Sequence, residues 1–456
     1  GFVNDDGSKT EGDLQIVGSG EVTLNNEGND YHGKTLVKDS ATLKAGSDNA
    51  LGNTKELNLA GGTTFDLNGK TQTVGALNTA AGSTANVNGG NLTLAGVADS
   101  VVNGALTGAG EITVAANKLT VNGSNTGLTA KVTVGKDDTV EAKVDANKVD
   151  SLGTGDVEIK AKSQVNVALA AAESAVEIAN KLTGTGKYHF NGDKTNAGQT
   201  EVGFKAGTNT GGTFEGEVEL TNAKLNLAGD NTDALTHATL KLAKNSTATV
   251  GDAKKKATSS EVSQTIGALT LDGGLVDFGE VNLGSAEEPK PADNNIVADT
   301  LKIESNSKVK VNVVQDESGL VGGVPLLEQD DNGSMKARLI KATNIEGVTK
   351  DSEGKITNIT MLDADGNPAK ETTNVDLIQN AEKVARAVYD AKLTTDTSGL
   401  NIEHTLKEVQ LKGTEENALK LDSSSAKTDK AKELTAKLTG FVNDDGSKTE
   451  GDLQIV

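Results

Sequence analysis

The chain has no cysteine and no tryptophan, and only seven phenylalanines and three tyrosines in 456 residues. The missing cysteine excludes a disulfide framework, which suits an exported protein that stands without cross-links. Aromatic residues bury the most area per side chain, so their scarcity (2%) argues against a string of spherical cores. Two arginines, Arg338 and Arg386, and a net charge of −21 speak against a phosphate-reading face. Nucleic acid and anionic membrane surfaces are excluded as partners on the same ground. No signal peptide, transmembrane run or lipidation motif occurs; if the chain lies within a longer array, such signals lie outside it.

What is present is repetition. Gly1–Val17 and Gly440–Val456 both read GFVNDDGSKTEGDLQIV, a period of 439 residues. A globular domain has no use for beginning again, whereas a solenoid extends by adding units. The expectation is one full repeat plus the start of the next, with adjacent copies as partners end to end.

Inside the repeat, from Asp13 to about Val314, runs of three to five residues alternate apolar and polar. Val22-Thr23-Leu24, Leu57-Asn58-Leu59 and Leu225-Asn226-Leu227 are examples, separated by Gly, Asn and Asp clusters. A meandering antiparallel sandwich gives a similar local signal. Recurrence of larger blocks in the same order favours a parallel coil. Leu106-Thr107-Gly108-Ala109-Gly110 returns as Leu182-Thr183-Gly184-Thr185-Gly186, and Leu438-Thr439-Gly440 opens it again. An Asn-containing turn follows each of the first two blocks, at Ser124–Gly127 and Thr208–Gly211, and Gly28–Gly33 holds a third such turn. Gln72-Thr73-Val74-Gly75-Ala76-Leu77 returns as Gln264-Thr265-Ile266-Gly267-Ala268-Leu269. Stacked turns of a coil would set these positions in ladders.

Composition shifts near Glu288. All four prolines, both methionines and both arginines fall between 289 and 386. The expected organisation is a parallel β-helix over 1–316, a protruding β-rich or helical excursion over 317–395, the β-helix resuming over 396–439, and the next repeat starting at 440–456. Apolar spacing at Leu377, Ala381, Val384 and Val388 predicts a short helix or decorated loop within Asn374–Leu393. Ala168–Leu182 is the other helical candidate. At roughly 20–25 residues per turn and about 4.8 Å between turns, one repeat would span on the order of 80–100 Å.

Asn29–Leu77 and Gln264–Gly279 resemble the passenger repeats of type V autotransporters of Gram-negative bacteria, of the pertactin-like and self-associating adhesin kind. So does the tract from Val313 through AEKVARAVYDAKL and AKELTAKLTG. The resemblance covers most of the chain. It implies an all-β, right-handed parallel β-helix, carried across the outer membrane by a C-terminal barrel and displayed outside the cell. It further implies adhesion, self-association or biofilm formation, with neighbouring fibres, host surfaces or glycans as partners. The membrane enters only through a barrel outside this fragment. Two features depart from the family: the fragment holds no barrel, and its period is far longer than usual. The stretch Phe441–Glu450 reads as an insertion of this protein's own.

The residues suggest no catalytic, cofactor-binding or metal-ligating position, no cofactor and no enzyme activity. No nucleophilic serine sits in a Gly-Asp-Ser-Gly setting. His32, His189, His237 and His404 lack metal-pair spacing and are expected on solvent-facing turn or strand positions. A β-helix lyase needs carboxylates clustered with a basic partner, and two arginines offer little. Asp363, Asp365 and Asn367 match the first ligand positions of a calcium loop, but Pro368 stands where glycine is required and Asn374 where the bidentate glutamate belongs. Gly28–Thr35 fits the phosphate-loop letters, yet short strands rather than a helix should follow it.

Overall fold

Short runs with apolar residues at alternate positions are too brief for helices, and in the computed structural model they stack as parallel strands. The structure describes residues 2–170, 175–192, 199–205, 207–227, 233–250, 262–285, 290–315, 317–321, 326, 334–421, 434 and 436–455. Among them there is no α-helix, only one 3₁₀ turn at Glu415–Asn417. The chain divides into two units, Gly1–Ser246 and Thr247–Val456.

The first unit is a parallel β-helix. One sheet carries the successive strands Leu14–Ile16, Thr35–Val37, Leu57–Leu59, Leu77–Thr79, Ser100–Val102, Asn117–Val121, Ala142–Ala146, Gln164–Leu169, Lys187–Gly192, Glu217–Thr221 and Leu235–Leu242, each paired parallel with the next. A second sheet runs from Glu21–Leu24 to Ala105–Thr107, a third from Thr71–Val74 to Leu182–Gly184. The chain therefore returns to the same sheet every turn, and each backbone pairs with the turns before and after it.

Register fixes the core. Ile16, Val37, Leu59, Thr79, Val102, Val121, Ala146, Val167, Phe190, Leu220 and Leu242 stand over one another in one inward line, all 5% exposed or less. Each large apolar member contributes about 1.5–3 kcal/mol on burial. The few aromatics are spent here: Tyr188 and Phe190 meet edge to face at 5.1 Å. Corners are made by residues that tolerate left-handed backbone. Asn68-Gly69 and, one turn later, Asn88-Gly89 all have positive φ.

The second unit begins the same way. Val262–Asp272, Lys290–Ser305 and Ser334–Glu346 pair parallel, as do Thr247–Thr249, Leu275–Val281, Ser307–Val313 and Ile359–Leu362. The tract expected as an excursion thus contributes Ser334–Glu346 to a parallel sheet. Beyond it the direction reverses: Ser334–Glu346, Gly399–Leu411, Glu382–Asp396 and Thr372–Gln379 form an antiparallel run. Parallel pairing returns where Glu408–Leu411 meets Lys437–Gly440.

The helix expected within Asn374–Leu393 is a β-hairpin. Its apolar residues satisfy a period of two better than 3.6, with Ala385, Ala387, Tyr389, Ala391 and Leu393 all buried. Asn380 and Ala381 both have positive φ, the two-residue turn that matches strand twist. The other helical candidate lies in strands at Gln164–Leu169, Val176–Ile178 and Leu182–Gly184, and its residues 171–174 lie outside the described residues. The sequence Asp330-Asp331-Asn332-Gly333, whose composition predicts a turn, also lies outside them.

Candidate functional site: an outer ladder and two matching ends

Residues that alternate with the inward line form an outward one: Gln15, Leu36, Asn58, Asn78, Val101, Thr120, Asp145, Asn166, His189, Glu219 and Lys241. Its first part is uncharged. Leu36, Asn58, Asn78 and Val101 line a shallow groove of about 360 Å³ bordered by Lys38 and Asn103. Its last part is charged and paired within itself. Lys187 bridges Glu217 at 3.2 Å and also meets Glu219, and Lys241 lies 4.0 Å from Glu219. Partial burial works against the Lys187 ammonium, but Glu219 and Glu217 outweigh it and hold the pKa above its usual value. His189 sits 3.0 Å from the Thr221 hydroxyl and 4.0 Å from Glu219; burial outweighs that carboxylate and lowers its pKa, leaving a neutral ring at neutral pH.

The residues singled out in the sequence are not brought together. His32 and His237 are exposed and His189 half-buried on the outer face. His404 corrects the expectation of solvent-facing histidines. It is 3% exposed on Gly399–Leu411, because strand alternation turns it inward toward the Tyr389 ring, 6.3 Å away. Burial pushes its pKa down to about 4. Asp363 accepts hydrogen bonds from the Asp365 and Asn367 N–H groups at 3.0 and 2.9 Å, closing a tight turn. Gly28–Thr35 is a loop that enters the strand Thr35–Val37; its Lys34 N–H donates to Asp13 at 2.8 Å. Arg338 is bound to Asp396 at 2.8 Å, and Arg386 to Asp376 at 2.9 Å. Among the described residues no group of three or more His, Asp or Glu side chains is placed to hold a metal ion.

The recurring Leu-Thr-Gly blocks have a structural cause. The Leu106 N–H donates to Asn125 Oδ1 at 2.8 Å, and Asn125 Nδ2 donates to the Ser151 carbonyl at 2.7 Å. Leu182 repeats this with Asn209 at 2.7 Å, and Asn209 donates to the Asn180 carbonyl at 3.0 Å. Gly108 bridges Leu128, and Gly184 bridges Phe214, at the matching places. Both asparagines are 2% exposed and satisfy backbone groups that the ladder leaves open.

The repeated segment folds the same way twice. Phe2 and Val3 pair antiparallel with Thr10 and Lys9; Phe441 and Val442 do so with Thr449 and Lys448. In each turn an aspartate, Asp6 or Asp445, accepts from the N–H and hydroxyl of the serine two residues on, at 2.9 and 2.6 Å. The cover differs. Leu14–Ile16 is paired with the strand after it, Thr35–Val37, whereas Leu453–Ile455 is paired with the strand before it, Leu419–Leu421. Ile16 is 5% exposed and its counterpart Ile455 is 73% exposed. Phe441 is 2% exposed beneath Arg386, Lys412 and Lys383, at 4.6, 4.9 and 5.6 Å from its ring centre. Sequence reasoning took Phe441 only as part of an insertion; an aromatic in so aromatic-poor a chain was the available signal.

These features define a parallel β-helix with ladder faces in the first unit, and one segment that recurs in both units. No protein-family model matches the chain, and no solved structure does. Two proteins of Escherichia coli (strain K12) match parts of it. The chain is 28% identical to the uncharacterized protein YuaQ over 302 residues, 63% of this chain and 20% of the relative. It is 52% identical to the uncharacterized lipoprotein YdeK over 64 residues, 14% of this chain and 5% of the relative. The chain thus spans about a fifth of the first and a twentieth of the second.

Proposed function

We propose that this chain is one repeat of a long fibre on the surface of a Gram-negative bacterium, exported by an autotransporter route and acting in adhesion, self-association or biofilm formation. The observation that carries this reading is that the segment occurring twice in the sequence makes the same antiparallel pairing in both places, while its Leu-Gln-Ile strand is covered on opposite sides. A strand stack of this kind adds length without needing a new core. The lipoprotein description of YdeK is in keeping with a place in the cell envelope. In this role the protein performs no catalysis. Its contacts are made by the outer ladder, repeated once per copy, so that weak individual contacts sum along the fibre.

Beads coated with a chain of several copies should clump, and replacing Asn58 and Asn78 by lysine should disperse them by placing like charges along the groove. A second reading, a passive stalk that presents a distal tip, is favoured by the self-paired charges around Glu219. Coated beads that stay dispersed would establish it over the adhesive one.

A further inference from the structure

We infer that segment 440–456 of one copy and segment 1–17 of the next are a single shared turn of the β-helix, so that a second copy of this chain joins in unbroken register. This deepens the fibre reading and rests on it.

The register comes from two halves of one strand's surroundings. Leu419, Lys420 and Leu421 stand opposite Leu453, Gln454 and Ile455. The same three residue types, as Leu14, Gln15 and Ile16, stand opposite Thr35, Leu36 and Val37. Merging the identical strands gives an inward line Leu421–Ile16–Val37 and an outward line Lys420–Gln15–Leu36. A slip by one residue would turn Lys420 into line with the core. The Ile455 side chain, exposed at this end, would gain the cover that Ile16 already has from Val37. Backbone bonds agree. The Leu14 N–H donates to the Lys34 carbonyl at 2.8 Å, so strand alternation aims the Gln15 N–H the other way, toward the preceding copy.

The glycines give an independent check. A methyl group on Gly451 would lie 2.5 Å from the Lys412 nitrogen and 2.6 Å from the Leu411 oxygen; one on its counterpart Gly12 would meet nothing within 4 Å. Gly12 instead presses its own carbonyl against Gly33. Joined, the glycine is enclosed from both sides. Gly186, deep in the first unit, already has that double contact: a methyl there would lie 2.6 Å from the Ser163 oxygen, and its carbonyl lies against Gly216. Phe441, held under Arg386 and Lys412, clips the shared turn to the preceding copy.

The test is amide hydrogen exchange on the 456-residue chain and on the same chain extended to two copies, with scattering to measure length. In the single chain the Gln15 amide should exchange freely; at the junction of two copies it should slow by at least about a hundredfold. In the single chain, Gly451→Ala should speed exchange across Leu453–Ile455 by about tenfold, while Gly12→Ala changes Leu14–Ile16 less than about twofold. At the junction, alanine should behave as Gly451→Ala does. A two-copy chain that lengthens while the junction amide exchanges as freely as at the end would overturn the shared turn alone. Protection without added length would keep the shared turn and remove the fibre. Equal tolerance of alanine at Gly12 and Gly451 would also contradict the inference.

Discussion

Gly33 rests against the carbonyl oxygen of Gly12, so close that a methyl group on Gly33 would overlap it, and Gly216 rests the same way on Gly186. The contact is backbone to backbone, so no side chain can yield. Gly216→Ala should lower stability by about 1–3 kcal/mol, read by urea unfolding. Gly203→Ala, with open space at its Cβ, should be neutral or slightly stabilising. Equal effects at the two sites would show that the turns are spaced more loosely than described.

The inward line sets the largest single cost. Phe190 is fully buried between Val167 and Leu220 and against Tyr188. Phe190→Ala should cost about 3–5 kcal/mol. A loss below about 1 kcal/mol would place the ring outside the core.

Asn209 satisfies one N–H and one carbonyl that no strand reaches. Asn209→Ala and Asn125→Ala should each cost about 1–3 kcal/mol, the penalty of orphaned buried groups. Exposed Asn147, bonded to Asn122, provides the control, and its alanine variant should stay within about 0.5 kcal/mol.

His404 makes stability depend on pH with a definite sign. Its folded pKa is about 4 against an ordinary 6.5, so the folded state binds fewer protons in between. Its contribution is full above pH 6.5, is lost as pH falls toward 4, and amounts to about 3 kcal/mol. His404→Leu should remove that part of the curve. Glu158, lowered by Lys131 and Lys160, loses its contribution at more acid pH, below the usual carboxylate value. A wild-type curve flat between pH 6.5 and 4 would mean that His404 is hydrated.

Much of this was legible in the residues. Period-two runs and their spacing gave the strands, and the two copies of the duplicated segment make the same short antiparallel pairing. Leu-Thr-Gly followed by an Asn turn marked positions that proved to hold the buried asparagines. Asn374–Leu393 misled because alanine, valine and leucine at these spacings satisfy both periods, and its turn, Asn380-Ala381, lacks the glycine that usually announces a hairpin. His404 and Phe441 could not be placed, since their burial depends on strands far from them in sequence, Ser334–Glu346 beside His404 and Glu382–Asp396 beside Phe441.

The central claim is that copies of this chain continue one stack. Electron microscopy of chains carrying one, two and three 439-residue repeats tests it most directly. A rod of constant width that grows by a fixed increment on the order of 80–100 Å per copy is expected. Beads on a string, or a length that does not grow, would contradict it.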